Sequence, residues 1–274
     1  MSDQGGTGRA LVRDDSGIRV ERDGEVLVVT IDRPKANAID PAASRALGRA
    51  FDAFASDAGS RVAILTGAGE KFFSAGDDLK VTAETGGVSA DYGRGGFGGL
   101  TERFDLDKPV IAALNGMAVG GGFETALACD LIVAAEHAEF FVPEVNIGML
   151  ASSGGFARLP RQLPLKIAME MLLTGRRMSA QEAARWGVVN QVVPARGLME
   201  AALALARRIA DAAPLAVRAT KLAAMASLDL GLPDAFAALA DGRWPIYDRM
   251  LASEDVKEGP RAFVEKRPPR WSGR

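Results

Sequence analysis

The chain alternates between strand-like and helix-like patterns over its first two thirds, and its last third is helical. β-branched runs bounded by turn residues predict strands at residues 26–31, 62–66, 109–114, 131–134, 139–142 and 188–193. Between them, helical patterns begin after Asp40 and Gly122 and cover residues 165–173 and 180–186. From Leu198 onward only helices are predicted, at residues 198–211, 214–227, 233–250 and 255–266. The pattern therefore predicts an α/β core followed by a helical C-terminal part.

We divide the chain into three parts. Residues 1–17 are expected to be a flexible N-terminal lead, residues 18–197 the core, and residues 198–274 the helical region. The glycine-rich stretch at residues 86–99 predicts a mobile loop. No apolar run approaches the ~20 residues of a membrane span, so no membrane partner is expected.

Composition excludes several classes of function. Lys and Arg total 33 against 35 for Asp and Glu, so there is no general attraction to nucleic acid. The single cysteine, Cys129, cannot form an internal disulfide, which suits a reducing cytoplasm. The single histidine, His137, is expected in a surface turn, and two such residues are too few for a zinc site. No metal site is predicted, and proton transfer is left to carboxylates, lysines and tyrosines.

Two glutamates lie in apolar surroundings. Glu124 follows a triple glycine and has Phe123 and Ala126 as neighbours. Glu144 leaves the predicted strand that contains Phe140. A carboxylate in such surroundings is strained, paired or functional. Spacing alone leaves open whether the two are structural or a catalytic pair.

Several motifs, in a fixed order, resemble those of the enoyl-CoA hydratase/isomerase (crotonase) family from about Ile18 to Arg274. They are Asp32-Arg-Pro-Lys-Ala-Asn-Ala-Ile39, Phe73-Ser-Ala-Gly-Asp-Asp-Leu79, Asn115-Gly-Met-Ala-Val-Gly-Gly-Gly-Phe-Glu124, Pro143-Glu-Val-Asn-Ile-Gly148, Leu172-Leu-Thr-Gly175 and Trp186-Gly-Val-Val-Asn190. The resemblance implies a spiral of ββα units, with a helical C-terminal trimerisation region that assembles homotrimers or hexamers.

Other segments resemble one branch of the family, whose members add or remove water on an acyl-CoA with a trimethylammonium group. They are Gly95-Gly-Phe-Gly-Gly-Leu-Thr-Glu102, Ser253-Glu-Asp and Phe263-Val-Glu-Lys-Arg267. A generic short- or medium-chain enoyl-CoA hydratase is the alternative. An enoyl-CoA isomerase, or a non-catalytic relative that binds CoA or RNA, is less favoured.

The resemblance assigns roles to four residues. The acyl-CoA thioester is the substrate, and no cofactor is expected besides the CoA that the substrate carries. Glu144 is expected to be the principal general acid/base and Glu124 the partner that activates water. The backbone N–H groups of Asp77 and Gly121 are expected to form an oxyanion hole, which Gly121 assists from the start of a helix.

The resemblance also implies residues that contact the CoA arm. These are Lys35, Ala36, Asn37, Asp78, Leu79, Lys80, Phe263 and Lys266. The last two are expected to act from a neighbouring subunit. For Lys266 a solvated charge in the tail is an equal alternative.

Two positions depart from the family pattern. Asp77 stands where an aromatic or small residue is expected, and Ala151-Ser152 replaces a Pro-Asp pair. A carboxylate at position 77 either attracts a trimethylammonium group or points away from the pocket, whereas Ser152 argues against dienoyl isomerisation. Quaternary ammonium groups are held by aromatic faces. The candidates, for which packing roles are favoured, are Tyr92, Phe97, Phe104, Trp244 and Tyr247.

Overall fold

The computed structural model describes residues 9–13, 15–85 and 90–274. Its strands form two sheets. The strands are β1 Arg9–Arg13, β2 Ile18–Asp23, β3 Val26–Ile31, β4 Val62–Gly67, β5 Phe72–Ser74, β6 Val110–Leu114, β7 Met117–Val119, β8 Leu131–Ala135, β9 Glu139–Phe141, β10 Met178–Ser179 and β11 Gln191–Val193.

The larger sheet has the order β1-β2-β3-β4-β6-β8-β11. Its first three strands are antiparallel, and the strands from β3 to β11 are parallel. The smaller sheet has the order β10-β9-β7-β5, in which β5, β7 and β9 are parallel. The central strands β4 and β6 are buried along their whole length, which explains their unbroken apolar sequences.

The helices separate the strands of the core and then continue alone to the C-terminus. They are α1 Pro41–Ser56, α2 Leu79–Thr85, α3 Gly121–Leu127, α4 Gly155–Gln162, α5 Leu165–Thr174, α6 Ala180–Arg185, α7 Leu198–Ala210, α8 Pro214–Ser227, α9 Leu232–Ala240, α10 Pro245–Leu251 and α11 Asp255–Val264. Short 3₁₀ helices lie at Phe97–Gly99, Glu144–Ile147 and Ala195–Gly197. None of the helices in the described ranges combines the length and apolarity needed to cross a membrane.

One unit recurs along the chain: a strand of the large sheet, a strand of the small sheet, and a helix. It appears as β4-β5-α2, as β6-β7-α3, and as β8-β9 followed by a 3₁₀ helix and α4. This confirms the predicted ββα spiral. Because each turn of the spiral adds one strand to each sheet, residues that follow successive strands of the small sheet are stacked side by side.

Two apolar layers hold the large sheet. On one face α7 packs its stripe of small residues, Ala202, Ala206 and Ala210, against the strands. On the other face α1 and the small sheet form the main core, in which Phe51 and Phe123 are fully buried. Alanines four residues apart let the helix lie close to the sheet. The small sheet is thereby fixed against the large one.

Two predicted helix starts are capped as expected. The Asp40 carboxylate accepts a hydrogen bond from the Ala43 amide at 2.7 Å. Ser179 Oγ accepts one from the Glu182 amide at 3.1 Å. The Glu182 carboxylate pairs with Arg176 at 2.7 Å, so only the Ser179 half of a Ser-x-x-Glu capping box forms here.

The predicted boundaries differ from the structure in three places. Residues 9–13, assigned to the lead, form strand β1 and pair with β2. The strand predicted at residues 188–193 begins only at Gln191, because the Val188 amide still bonds to α6. The helix predicted at residues 233–250 is two helices. Gly242, with φ of 69°, ends the first, and Pro245 begins the second.

The second half of the glycine-rich stretch is packed, and residues 86–89 lie outside the described residues. Residues 95–100 are buried, and the Ser44 hydroxyl donates to the Gly96 carbonyl at 3.0 Å. A Cβ at Gly99, whose φ is 68°, would overlap the backbone of α1 at Gly48. For residues 95–99 the prediction of a mobile loop was therefore wrong, because these glycines serve close packing.

Candidate active site

Three parallel strands of the small sheet end at one edge, where the predicted catalytic groups lie. Asp77, Gly121 and Glu144 come two or three residues after the ends of β5, β7 and β9, respectively. Because these strands are hydrogen-bonded neighbours, the three residues lie along one edge of the sheet. The carboxyl ends of parallel strands are the usual place for a ligand in α/β folds.

Gly76 and Gly121 bring two backbone amides close together. Gly76 has φ of 82°, and a Cβ added to it would lie 3.0 Å from the Gly121 nitrogen and 2.6 Å from the Val119 carbonyl oxygen. Only glycine fits there. Gly121 is the first residue of α3, so its N–H has no acceptor within the helix. The Gly121 amide lies beside Gly76, the residue directly before Asp77. The amides of Asp77 and Gly121 are therefore close neighbours, as two donors to one oxyanion must be.

Glu124 lies one turn into α3, with only 2% of its surface exposed. Its Oε1 accepts a hydrogen bond from the Gly155 amide at 2.7 Å. Burial raises the pKa of this carboxyl to about 7, although the amides of Gly155 and Ser153 and the charge of Arg158 act to lower it. The charge of Glu144 contributes to this rise. Glu124 can therefore gain or lose a proton near neutral pH.

Glu144 is half-buried at the first residue of its 3₁₀ helix. Its Oε2 is buried without a hydrogen-bond partner among the described residues, and burial raises the pKa of its carboxyl. Its Oε1 lies against Gly120, where an added Cβ would overlap it. The Glu124 amide donates to the Gly120 carbonyl at 2.9 Å, so Gly120 is next to both glutamates. The two carboxylates therefore lie at the same end of α3. A buried acceptor without a partner is suited to a ligand or a water.

An aromatic and acidic wall, made of Asp77, Tyr92 and Phe97, stands beside the two amides. The Tyr92 hydroxyl donates to Asp77 Oδ1 at 3.1 Å. The rings of Tyr92 and Phe97 meet edge to face, with centroids 5.1 Å apart. The Phe97 ring covers Gly121, because an added Cβ there would lie 2.6 Å from it. Burial and the Asp77 charge raise the pKa of Tyr92 well above its usual range.

Comparison with known proteins agrees with this geometry. The sequence model of the enoyl-CoA hydratase/isomerase family matches residues 21–274. The chain belongs to this family. One member of known structure is an enoyl-CoA hydratase from Mycobacterium tuberculosis H37Rv, which is 43% identical to this chain and has a TM-score of 0.86. The match covers 95% of this chain and 100% of that one. One from Mycobacterium marinum is 45% identical with the same TM-score and coverage.

Two curated relatives carry a more specific name. The carnitinyl-CoA dehydratase of Salmonella typhimurium is 54% identical over 257 residues, which are 94% of this chain and 98% of that protein. The carnitinyl-CoA dehydratase of Proteus mirabilis is 54% identical over 251 residues, 92% of this chain and 96% of that protein. These are relatives in the branch to which the segments outside the catalytic motifs pointed.

The residues predicted to contact CoA are not all brought together. Ala36 lies beside β5, since its carbonyl accepts from the Ala75 amide at 2.9 Å. Lys35, Leu79 and Lys80 are exposed. Leu79 is the first residue of α2, and Asp78 comes directly before it. A contact of Lys35 and Lys80 with the phosphates of CoA stays a prediction.

Asn37 does not offer its side chain to a ligand. It is buried, its Nδ2 donates to the carbonyls of Ala68 and Phe72 at 3.0 and 2.8 Å, and its Oδ1 accepts from the Arg33 amide at 3.1 Å. The side chain therefore holds two loops together, and a contact between Asn37 and CoA stays a prediction.

Phe263 and Lys266 lie at the end of the helical region. Phe263 is 85% exposed on α11, a helix that packs against α10. Lys266 follows that helix with φ of 52°. A contact with CoA bound to a neighbouring subunit stays a prediction.

The site also contains groups that sequence reasoning missed. The Gly155 amide contacts Glu124 across 31 residues, and it opens α4, a helix that was not predicted. Its signal was weak, because Pro160 lies inside the helix. Among the aromatic candidates, Tyr92 and Phe97 lie at the site, whereas Phe104 is 85% exposed and Trp244 and Tyr247 belong to the helical region. Ser152 is exposed in the turn before α4.

A cleft of about 860 Å³ lies elsewhere, against the carboxyl ends of strands in the large sheet. Thr30, Thr66, Asn115 and Met199 are among the residues that line it. Its lining includes neither Glu124 nor Glu144, and neither Asp77 nor Gly121, so it is separate from the candidate active site.

Proposed function

We propose that this enzyme dehydrates carnitinyl-CoA to crotonobetainyl-CoA and catalyses the reverse hydration. The observation that carries the proposal is that the carboxylates of the buried Glu124 and the half-buried Glu144 both lie at the start of α3, beside the Gly121 amide. The names of the relatives that are 54% identical over nearly the whole chain support the acyl group.

The thioester oxygen is held by the N–H groups of Asp77 and Gly121. Abstraction of the weakly acidic α-proton moves negative charge onto this oxygen, and two donors stabilise it. Losing one such donor typically costs about 3–4 kcal/mol of transition-state stabilisation. Glycine at position 121 permits the close approach.

The two glutamates share one proton. In dehydration Glu144, as a carboxylate, takes the α-proton, and the protonated Glu124 gives its proton to the β-hydroxyl, which leaves as water. The electron pair of the broken C–H bond becomes the new double bond. Hydration is the reverse, with Glu124 accepting the proton of the attacking water. The pKa of about 7 for Glu124 supports its holding the proton at the start of dehydration.

A generic enoyl-CoA hydratase is the second candidate, because the solved structures at 43% and 45% identity carry that name. Hydration rates on crotonobetainyl-CoA and on crotonyl-CoA distinguish the two. Our proposal predicts a higher kcat/KM for crotonobetainyl-CoA. A preference for crotonyl-CoA by about an order of magnitude or more would establish the generic function instead.

The rest of the proposal concerns assembly and location. Exposed apolar side chains on the C-terminal helices, among them Leu232, Phe236 and Phe263, support a homotrimer or hexamer. Sedimentation should give three or six times the chain's mass, and a monomer at micromolar concentration would contradict this. The buried free Cys129 suits a cytoplasmic enzyme.

A further inference from the structure

The wall of Asp77, Tyr92 and Phe97 lies next to both proposed oxyanion donors, the amides of Asp77 and Gly121. The Asp77 carboxylate belongs to the residue whose amide is one donor, so it lies within about 4 Å of that nitrogen. The Phe97 ring covers Gly121, the residue of the other donor. An acyl group whose thioester oxygen binds both amides therefore lies beside this wall.

The wall and the glutamates lie on opposite sides of one strand. In the small sheet β7 separates β5, which leads to Asp77, from β9, which leads to Glu144. With neighbouring strands about 4.8 Å apart, the backbones at these two residues are about 10 Å apart. That width accommodates an acyl chain a few carbons long, with its reacting carbons toward the glutamates.

A carboxylate beside aromatic rings suits one class of acyl group. A quaternary ammonium has no N–H to donate, so it is bound by opposite charge and by aromatic faces. Asp77 supplies the charge, and the half-buried Tyr92, whose ring is supported by the buried Phe97, supplies the aromatic face. A neutral alkyl tail gains no charge interaction here, and an anionic tail is repelled.

Tyr92 orients the carboxylate. Its hydroxyl donates to Asp77 Oδ1 at 3.1 Å, and its ring is fixed edge to face on Phe97. Because its pKa is raised by burial, the hydroxyl keeps the proton that it donates. Tyr92 is thus a positioning residue for Asp77.

We propose that Asp77, oriented by Tyr92, makes this enzyme selective for acyl-CoA thioesters that carry a quaternary ammonium group. The inference rests on the proposed function and adds the residue that determines the substrate.

The test compares two ligand pairs, each made of a trimethylammonium compound and the same compound with a tert-butyl group in its place. Crotonobetainyl-CoA and its tert-butyl isostere give a ratio of kcat/KM. The saturated butyrobetainyl-CoA and its isostere give a ratio of Kd by calorimetry, which needs no turnover. For Asp77→Asn, both ratios should move toward the neutral ligand by about tenfold to a hundredfold.

Three more variants make the result specific. Asp77→Glu keeps the charge and should retain most of the preference. Tyr92→Phe removes the orienting hydroxyl and should lower the preference by a smaller factor than Asp77→Asn. Asp91→Asn is the matched control, because Asp91 is an exposed carboxylate next to Tyr92 and its Oδ1 accepts a hydrogen bond from a local turn amide, that of Gly93, at 2.9 Å. Its ratios should equal those of the wild type.

Two outcomes overturn the inference, and they are distinguishable. If the wild type prefers the trimethylammonium compounds and Asp77→Asn keeps both ratios, the proposed function stands and the role of Asp77 is rejected. If the wild type does not prefer them although it hydrates the neutral isostere, the proposed substrate is wrong, and the inference fails with it.

Discussion

At the scale of single residues, burial rather than residue type makes the two glutamates chemically useful. A glutamate in water loses its proton near pH 4.5, whereas Glu124, with 2% exposure, does so at about 7. The hydrogen bond from the Gly155 amide orients Oε1, and it does so without a full positive charge on the donor. The residue therefore keeps its geometry in both protonation states, as a general acid/base must.

The first prediction concerns pH and stability. The folded-state pKa of Glu124 lies above its unfolded value of 4.5, so the folded chain binds more protons between these pKa values. The free energy of unfolding of the wild type, relative to Glu124→Gln, should fall from about pH 4.5 to about pH 7 and stay level above it. The total change should be about 3 kcal/mol. Denaturant unfolding at pH 5 and pH 8 measures it, and a difference independent of pH would contradict the assignment.

The second prediction concerns pH and rate. The shared-proton mechanism needs one proton on the pair in either direction, so kcat/KM should fall as pH rises above about 7 for hydration and dehydration alike. Initial rates in both directions between pH 6 and pH 9 test this. A flat profile over that range would exclude Glu124 as a member of the proton-carrying pair.

At the scale of elements, the glycines that open α3 explain how one short helix carries so much of the site. Gly120 makes room for the Glu144 carboxylate, Gly121 offers its amide under Phe97, and Gly122 packs on Ser74. Motifs in the sequence predicted α3 and its glutamate. They could not predict the Gly155 amide or the Tyr92 hydroxyl, because both reach the site through tertiary contacts between elements distant in sequence.

The third prediction separates packing from strain at the start of α3. Gly120→Ala should lower kcat by at least about a hundredfold, because the new methyl group displaces the Glu144 carboxylate. Gly24→Ala is the matched control: Gly24 has φ of 59°, close to the 52° of Gly120, and nothing lies within 4 Å of an added Cβ. Gly24→Ala should lose stability but keep kcat, and equal activity in both variants would contradict the contact.

The fourth prediction concerns the end of α1. Lys108 is buried, and its Nζ donates to the carbonyls of Phe54, Asp57 and Ser60 at 2.7–2.9 Å. Lys108→Met leaves these acceptors unpaired and should cost about 2–4 kcal/mol of the free energy of unfolding, with little change in kcat. Lys257→Met, at an exposed ion pair, should change stability by less than about 1 kcal/mol. Equal costs measured in urea would reject the role of Lys108.

At the scale of the whole molecule, the spiral converts sequence order into spatial order. Apolar runs predicted the central strands of the large sheet, such as residues 62–67, whereas the ββα spiral was implied by the family resemblance. The three-residue strands β5 and β7 were not predicted, because segments so short show little periodicity. The helical region was harder, since Gly242 breaks what periodicity presents as one helix. The departure at Asp77 was visible in the sequence, but its meaning depended on Tyr92, which packs there only in the folded chain.

The most direct test of the central claim is the hydration of crotonobetainyl-CoA by the wild type and by Glu144→Gln. The variant removes a proton carrier but keeps the size of the side chain, so it should fold and still bind butyrobetainyl-CoA. We predict that the wild type hydrates this substrate and that turnover in the variant falls by about 10²- to 10⁴-fold. A variant that hydrates crotonobetainyl-CoA at a rate near that of the wild type would contradict the two-glutamate mechanism.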